Sequence, residues 1–110
     1  MANVFKNSVT GSIGTTNTKV YEAPTSTTTT VIGVSVANII NQNASVNVSV
    51  TDSSEAKTSY LVKNALITEG GSLVVVGGEQ KVVLETGDYI SVISTEANSI
   101  DVVVSVLEIS

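Results

Sequence analysis

The strict alternation in SVNVSVT, residues 45–51, constrains the fold more than any other feature of the sequence. Three valines alternate there with small polar side chains. Successive side chains of a β-strand point to opposite faces, so this period of two predicts a strand with one buried face and one polar face. The residues expected on the solvent side are Asn47, Ser49 and Thr51.

The same kind of pattern recurs along the chain, and no segment of helical length keeps an apolar period of about 3.6 residues. Valine is the commonest of the 110 residues, and branched side chains favour strands over helices. We therefore predict an all-β chain of about eight or nine short strands, a single-domain antiparallel β-sandwich of jelly-roll or Ig-like type. A barrel would show the same alternation, so the pattern does not distinguish a sandwich from a barrel. The predicted strands are 3–13, 18–23, 31–40, 45–51, 57–63 with its continuation 64–67, 72–76, 81–85, 89–94 and 100–109.

The domain organisation follows from the N-terminal segment, which is largely polar and contains Phe5, the only phenylalanine of the chain. Residues 1–13 are expected to form an N-terminal arm or an edge strand, and residues 14–110 a single β-sandwich domain. Phe5 either enters the core or anchors the segment on a neighbouring molecule.

The stretch 70–94, GGSLVVVGGEQKVVLETGDYISVIS, contains two glycine pairs. It matches neither the P-loop nor the dinucleotide-binding pattern, and no helix follows that could hold a phosphate. Adjacent glycines supply the positive φ angles of tight turns. We therefore predict three consecutive strands of a meander, with the glycines at its corners.

The composition excludes several kinds of chemistry. There is no Cys, His or Trp, so disulfides, Ser-His pairs and Cys-His pairs are excluded. A net charge of −5, with lysine as the only cation, argues against nucleic acid as a partner. No apolar run approaches the roughly 20 residues of a membrane-spanning helix, and no signal peptide is visible. A soluble protein made in the cytoplasm, with no membrane partner, is expected.

Carboxylates remain as candidate catalytic or metal-binding groups. Glu85 and Asp88 flank a Thr-Gly turn and could act as an acid pair if one were buried with a raised pKa. The competing interpretation is that the Asp88 side chain caps its own turn. No Ca²⁺-loop motif accompanies the loop acids Asp52, Glu55, Glu69 and Glu96. The prediction is a protein that is not an enzyme and that holds no metal or cofactor.

Two continuous apolar runs, residues 73–76 and 102–104, indicate an interface. Because successive residues of a strand face opposite ways, each run places apolar side chains on both faces of its sheet. A two-layer sandwich buries only one of these faces, so the other is expected to be covered, most simply by another subunit. The candidate interface residues are Phe5, Leu73, Val74, Val75, Val76, Val102, Val103 and Val104.

The order of motifs resembles small virion structural proteins of tailed bacteriophages, notably of marine and cyanobacterial phages. The resemblance covers essentially the whole chain, and its motifs are turns and strands. They are VY-x-AP, TVIG, YLVK-x-x-x-I-x-x-GGSLV, QK-x-VLE-x-GD and the terminal VLEI.

This resemblance implies an assembly component of a virion that forms in the host cytoplasm. The expected role is a capsid decoration (cement) protein that forms a homo-oligomer and binds other virion proteins such as the major capsid protein. One alternative is a neck, tail or fibre protein that touches host glycans through the loops TSTTTT (25–30) or DSSEA (52–56). The other is a carboxylate enzyme, such as a glycosidase built on Glu85 and Asp88.

Overall fold

The computed structural model describes residues 3–77 and 81–110, and this part of the chain contains nine β-strands and no helix. The all-β prediction is therefore confirmed. The strands are β1 Asn3–Ile13, β2 Thr18–Glu22, β3 Thr28–Asn38, β4 Ala44–Asp52, β5 Lys57–Ile67, β6 Ser72–Val76, β7 Val82–Leu84, β8 Tyr89–Ser94 and β9 Ile100–Ile109.

The strands form two antiparallel sheets. The first sheet has the order β1-β9-β3-β6, with β7 also paired to β3, and the second has the order β2-β8-β4-β5. Alternate apolar residues of both sheets belong to one buried cluster, so the core lies between them. Its first-sheet members include Val34 and Val104, and its second-sheet members include Val48 and Val92. The apolar side chains that the alternation places on one face of each strand are thus the ones removed from water between the sheets.

The meander predicted for residues 70–94 is wrong. Strands β6 and β7 both pair with β3, one with Val34–Ala37 and the other with Thr29–Val31, so they lie end to end along one edge of the first sheet. The break between them faces an irregularity of β3 between Val31 and Gly33, where the pairing of β3 with β9 shifts register. A bulge bends a strand and interrupts its ladder, which explains why the neighbour is divided there. The chain then crosses to the second sheet between β7 and β8.

The glycine pairs have different roles. Gly70 has a φ of 72°, and the Gly71 amide donates to the Thr68 carbonyl at 2.8 Å, so the first pair lies in a turn, as predicted. Gly77 follows β6 directly, while Gly78 lies outside the described residues. The prediction of glycines at a turn is therefore confirmed for Gly70 and Gly71.

Gly87 occupies the turn between β7 and β8 with a φ of 85°, and a Cβ there would lie 2.7 Å from the Ser53 hydroxyl oxygen. We expect Gly87→Ala to lower the free energy of unfolding by about 1–2 kcal/mol, because it adds backbone strain and a steric contact. Gly70→Ala is the matched control, since its φ is also positive but nothing lies within 4 Å of the new Cβ. Thermal unfolding of both variants would contradict the steric account if Gly87→Ala unfolded no earlier than Gly70→Ala.

Residues 3–13, predicted as an arm or an edge strand, form β1 at the edge of the first sheet. The strand pairs with β9 from Asn3 opposite Ile109 to Ile13 opposite Ile100. Ile13 is its one buried residue. The rest of β1 therefore adds surface to the domain rather than core.

Candidate interaction surface

The outer face of the first sheet carries the side chains that alternate with the buried ones. On β9, for example, Val102 and Val104 are buried in the core, whereas Val103 is 41 % exposed. Residues directly opposite each other on neighbouring strands share a face. The strand register therefore shows which outward residues lie side by side.

Two rows of mainly apolar side chains cross this outer face. The first row consists of Val9, Val103, Ser35 and Val74. The second row consists of Phe5, Leu107, Thr30 and Val83. Phe5 is the most exposed large apolar residue among them, at 75 %. We call these two rows together the apolar face. Contiguous exposed apolar surface of this kind marks interaction sites in soluble proteins.

A groove separates the two rows. Between them the register places Asn7 opposite Ser105 and Ser105 opposite Gly33, which has no side chain. The groove has a volume of about 240 Å³ and is lined by Phe5, Lys6, Asn7, Ile32, Ser105 and Val106. The Ser105 hydroxyl donates to the Asn7 side-chain oxygen at 3.2 Å, which fixes one wall. This volume lies below the roughly 300–1,000 Å³ of small-molecule pockets, so the groove suits a single side chain better than a ligand.

The apolar face and its surroundings carry very little charge. Among the described strand residues that point outward from the first sheet, Asp101 is the only charged one. Its Oδ1 accepts a hydrogen bond from the Ser12 amide at 3.0 Å, so this carboxylate serves the end of β1. Lys6, which lines the groove, pairs its ammonium with Glu108. A face without formal charge can be covered by a partner at a small desolvation penalty.

The outer face of the second sheet is mainly polar, although Tyr60 and Leu66 are exposed there. Asn47 Oδ1 accepts a hydrogen bond from the Asn64 amide at 2.6 Å, and the Thr51 and Thr58 hydroxyls lie 2.8 Å apart. Ser49, which we expected in solvent, is 6 % exposed, because it lies in the interior of the sheet between Ser91 and Tyr60. The two sheets thus differ in the chemistry of their outer faces.

The predicted interface residues divide between the core and the apolar face. Phe5, Val74 and Val103 are exposed on the apolar face. Leu73 is half-buried against the core, and Val75, Val76, Val102 and Val104 are buried. Val75 departs from simple alternation because the register of β6 shifts between Val76 and Val74, so two successive valines are buried.

Sequence reasoning missed two of the exposed large apolar residues of the apolar face, Val9 and Val83. Val9 is the one large apolar residue in the middle of a polar stretch, a signal of the same kind as Phe5. Val83 lies between Val82 and Leu84 in a short apolar run, where nothing in the sequence indicates which of the neighbours points outward. The pairing of β7 with β3, which sets Val83 opposite Thr30, determines that Val83 points outward.

The predicted carboxylate pair lies in a cluster of loop acids. Carboxylate oxygens of Asp52, Glu85 and Asp88 lie within 4.8 Å of one another. Asp88, which is buried, accepts hydrogen bonds from the Glu85 amide at 3.0 Å and the Ser53 amide at 3.1 Å. It therefore caps its own turn, as the competing interpretation held, and it also holds the β4–β5 loop. Glu55, Glu69 and Glu96 do not belong to this cluster.

Asp52 organises the β4–β5 loop in a similar way. Its Oδ1 accepts hydrogen bonds from the Ser54 hydroxyl and from the Ser54 and Glu55 amides. The bond from the Ser54 hydroxyl, followed by the bond from the Glu55 amide, lowers the pKa of Asp52 below its ordinary value. This is opposite to the raised pKa that a general acid needs.

A partly buried hydrogen-bond network joins the two sheets beside β1. The Tyr21 hydroxyl of β2 donates to Glu108 Oε2 of β9 at 2.6 Å and lies 2.9 Å from the Thr29 hydroxyl of β3. Lys6 of β1 pairs with Glu108 Oε1 at 3.0 Å. Burial, followed by the bond to Glu108, raises the pKa of Tyr21 to about 12. The Tyr21 hydroxyl, with help from Lys6, lowers the pKa of Glu108 against the opposing effect of burial.

Comparison of the chain with protein-family models, with curated proteins and with solved structures gives no match. In residues 3–77 and 81–110 there is no helix of the length and apolar character needed to cross a membrane.

Proposed function

We propose that this chain is a non-enzymatic virion structural protein of a tailed bacteriophage, a capsid decoration protein that forms a homo-oligomer and binds the capsid lattice. The observation that carries the proposal is the apolar face, where five large apolar side chains are exposed in two rows on one sheet. These residues are Phe5, Val9, Val74, Val83 and Val103. Covering each such side chain contributes about 1.5–3 kcal/mol, so the face is suited to permanent association.

The connectivity supports a jelly-roll interpretation of the fold. If β6 and β7 are counted as one interrupted strand, eight strands remain, and the first sheet joins strands one, eight, three and six while the second joins two, seven, four and five. Among the described strands β4 and β5 are the only consecutive pair joined as a hairpin. Alternation of consecutive strands between the sheets is typical of jelly rolls and not of Ig-like domains. Jelly rolls occur in viral capsid proteins and also in lectins, so this support is one of fold analogy.

In the proposed mechanism the apolar face joins copies of the chain, capsid binding depends on the oligomer so formed, and the outer face of the second sheet remains in contact with water. A decoration protein adds interface area between neighbouring capsid subunits. This role requires no catalytic site in the domain. The phage context rests on the resemblance of the turn and strand motifs.

The test uses purified capsids that lack this protein. We expect Val103→Lys to abolish co-sedimentation with capsids, because it places a charge in the centre of the apolar face. Leu66→Lys is the matched control, since Leu66 is 63 % exposed on the second sheet, and it should bind as the unmodified chain does. Binding of Val103→Lys at unchanged affinity would contradict the proposal, as would the absence of the protein from reconstructed virions.

A second candidate is a neck, tail or fibre protein that binds host glycans. Tyr60 favours it, because its ring is 52 % exposed on the polar outer face of the second sheet and exposed aromatic rings are surfaces on which apolar sugar faces stack. The Lys63 ammonium lies 5.1 Å from the centre of this ring. The same virion reconstruction separates the two candidates, since it locates the protein either on the head or on the neck and tail.

A further inference from the structure

The apolar face contains both a projecting group and a recess that could receive it. Phe5 projects at one side, and the groove lined by Asn7, Ile32 and Ser105 lies immediately beside it. In a two-fold dimer the same surface is used by both copies, so every projection needs its complement on that surface. Phe5 and the groove meet this condition.

The distribution of charge permits a second copy of this chain as the partner. The chain carries a net charge of −5, so two copies repel each other wherever their acidic surfaces meet. On the apolar face Asp101 is the one outward carboxylate among the described strand residues, and it lies beyond the first row, opposite Ala37. Two acidic copies can therefore approach through this face without placing carboxylates in contact. Lys6, which lines the groove, is paired with Glu108 of its own chain.

The whole outer face of the first sheet approaches the area that a stable dimer needs. Four strands about 4.8 Å apart and roughly ten residues long at about 3.3 Å each give a projected face of roughly 600 Å². Side chains such as Phe5 make the accessible area larger than the projected area. A standard interface buries about 800 Å² on each partner, so one whole sheet face supplies it.

We infer that a second copy of this chain covers the apolar face, in a two-fold dimer in which Phe5 of each copy enters the groove of the other between Asn7, Ser105 and Ile32. The inference rests on the proposed function in one respect, that the face is an association surface. Such a dimer carries each of its remaining surfaces twice, so any lattice contact is made in two linked copies, which raises the overall affinity without new interactions.

The first experiment is sedimentation equilibrium of the purified chain from micromolar to millimolar concentration. We expect a dimer whose dissociation constant rises about thirtyfold or more in Phe5→Ala, because a central aromatic anchor is lost. Ser105→Trp, which fills the groove, should weaken the dimer to a similar extent. Leu66→Ala, an exposed apolar residue of the other sheet, should leave it unchanged. Circular dichroism and thermal unfolding establish that each variant is folded.

A mixing experiment tests the reciprocal geometry. Phe5→Ala keeps an open groove, and Ser105→Trp keeps the Phe5 side chain, so one productive contact forms when the two variants associate. We expect the mixed dimer to be tighter than either homodimer. A mixed dimer no tighter than the two homodimers would overturn the inference, as would a chain that stays monomeric at millimolar concentration or a dimer disrupted by Leu66→Lys but not by Phe5→Ala.

These outcomes are independent of the proposed function. A monomeric chain that still binds capsids would contradict the two-fold dimer and leave the decoration role standing. A stable dimer that depends on Phe5 but binds no capsid would support the dimer and contradict the decoration role.

Discussion

Leu84→Ala is expected to lower the free energy of unfolding by about 2–5 kcal/mol, because it leaves a cavity in a core that cannot fully collapse around it. Leu84 is completely buried and belongs to β7, a strand of three residues that, among the described strands, pairs with β3 only. Typical domains of this kind are stable by about 5–15 kcal/mol. The loss is thus a large fraction of the total and corresponds to a fall in melting temperature of roughly 10 °C or more.

Urea unfolding followed by circular dichroism measures this loss, and the slope of the transition should not change. Leu66→Ala is the matched control, because it makes the same chemical change at a side chain that is largely exposed, and it should alter stability by less than about 0.5 kcal/mol. Equal effects of the two substitutions would contradict the position of the core between the sheets.

Tyr21→Phe is expected to lower the free energy of unfolding by about 1.5–3 kcal/mol, the usual contribution of a hydrogen bond to a charged group. The substitution removes the hydroxyl that donates to Glu108, whose side chain lies at the boundary of the core, and leaves Lys6 as its remaining charged partner. Tyr60→Phe, at an exposed ring, is the control and should change stability little. If the two variants were equally stable, the network would contribute nothing to the fold.

The pH dependence of stability provides a second measure of this network. The pKa of Glu108 is lowered in the folded chain, so the carboxylate stabilises the fold above its unfolded pKa of about 4.3. This contribution is lost as the pH falls through the folded value. The pKa of Tyr21 is raised from 10.0 to about 12, so the neutral phenol contributes fully below pH 10 and its contribution is lost as the pH rises through about 12. In Tyr21→Phe the alkaline loss should disappear and the acid loss should become smaller.

The sequence predicted those features that depend on one strand alone. The alternation around Val46 and Val48 located β4 within a residue or two of its observed ends, and both valines are buried. The threonine run before residue 31 was left outside the predicted strand, yet β3 begins at Thr28 because those threonines pair with β7 and with the end of β9. Strand ends are therefore decided by neighbours that are distant in the chain.

The meander and part of the interface could not be predicted for the same reason. Short apolar runs around Val74 and Val83 indicate strands, but the sheet that each strand joins depends on β3, which lies far away in sequence. The groove depends on the irregular pairing around Gly33, which sets Ile32 outside simple alternation. A bulge of this kind leaves no periodic signal, since it consists of one residue that departs from the period.

The division between β6 and β7 also bears on how the protein behaves at high concentration. An unbroken edge strand offers a ladder of free amide and carbonyl groups to which further chains can add, and this is a route to fibrils. Here the β3 side of the first sheet ends in segments of five and three residues, too short to template a long incoming strand. Growth by edge-to-edge addition is thereby hindered on that side of the first sheet, even though valine is the commonest residue of the chain.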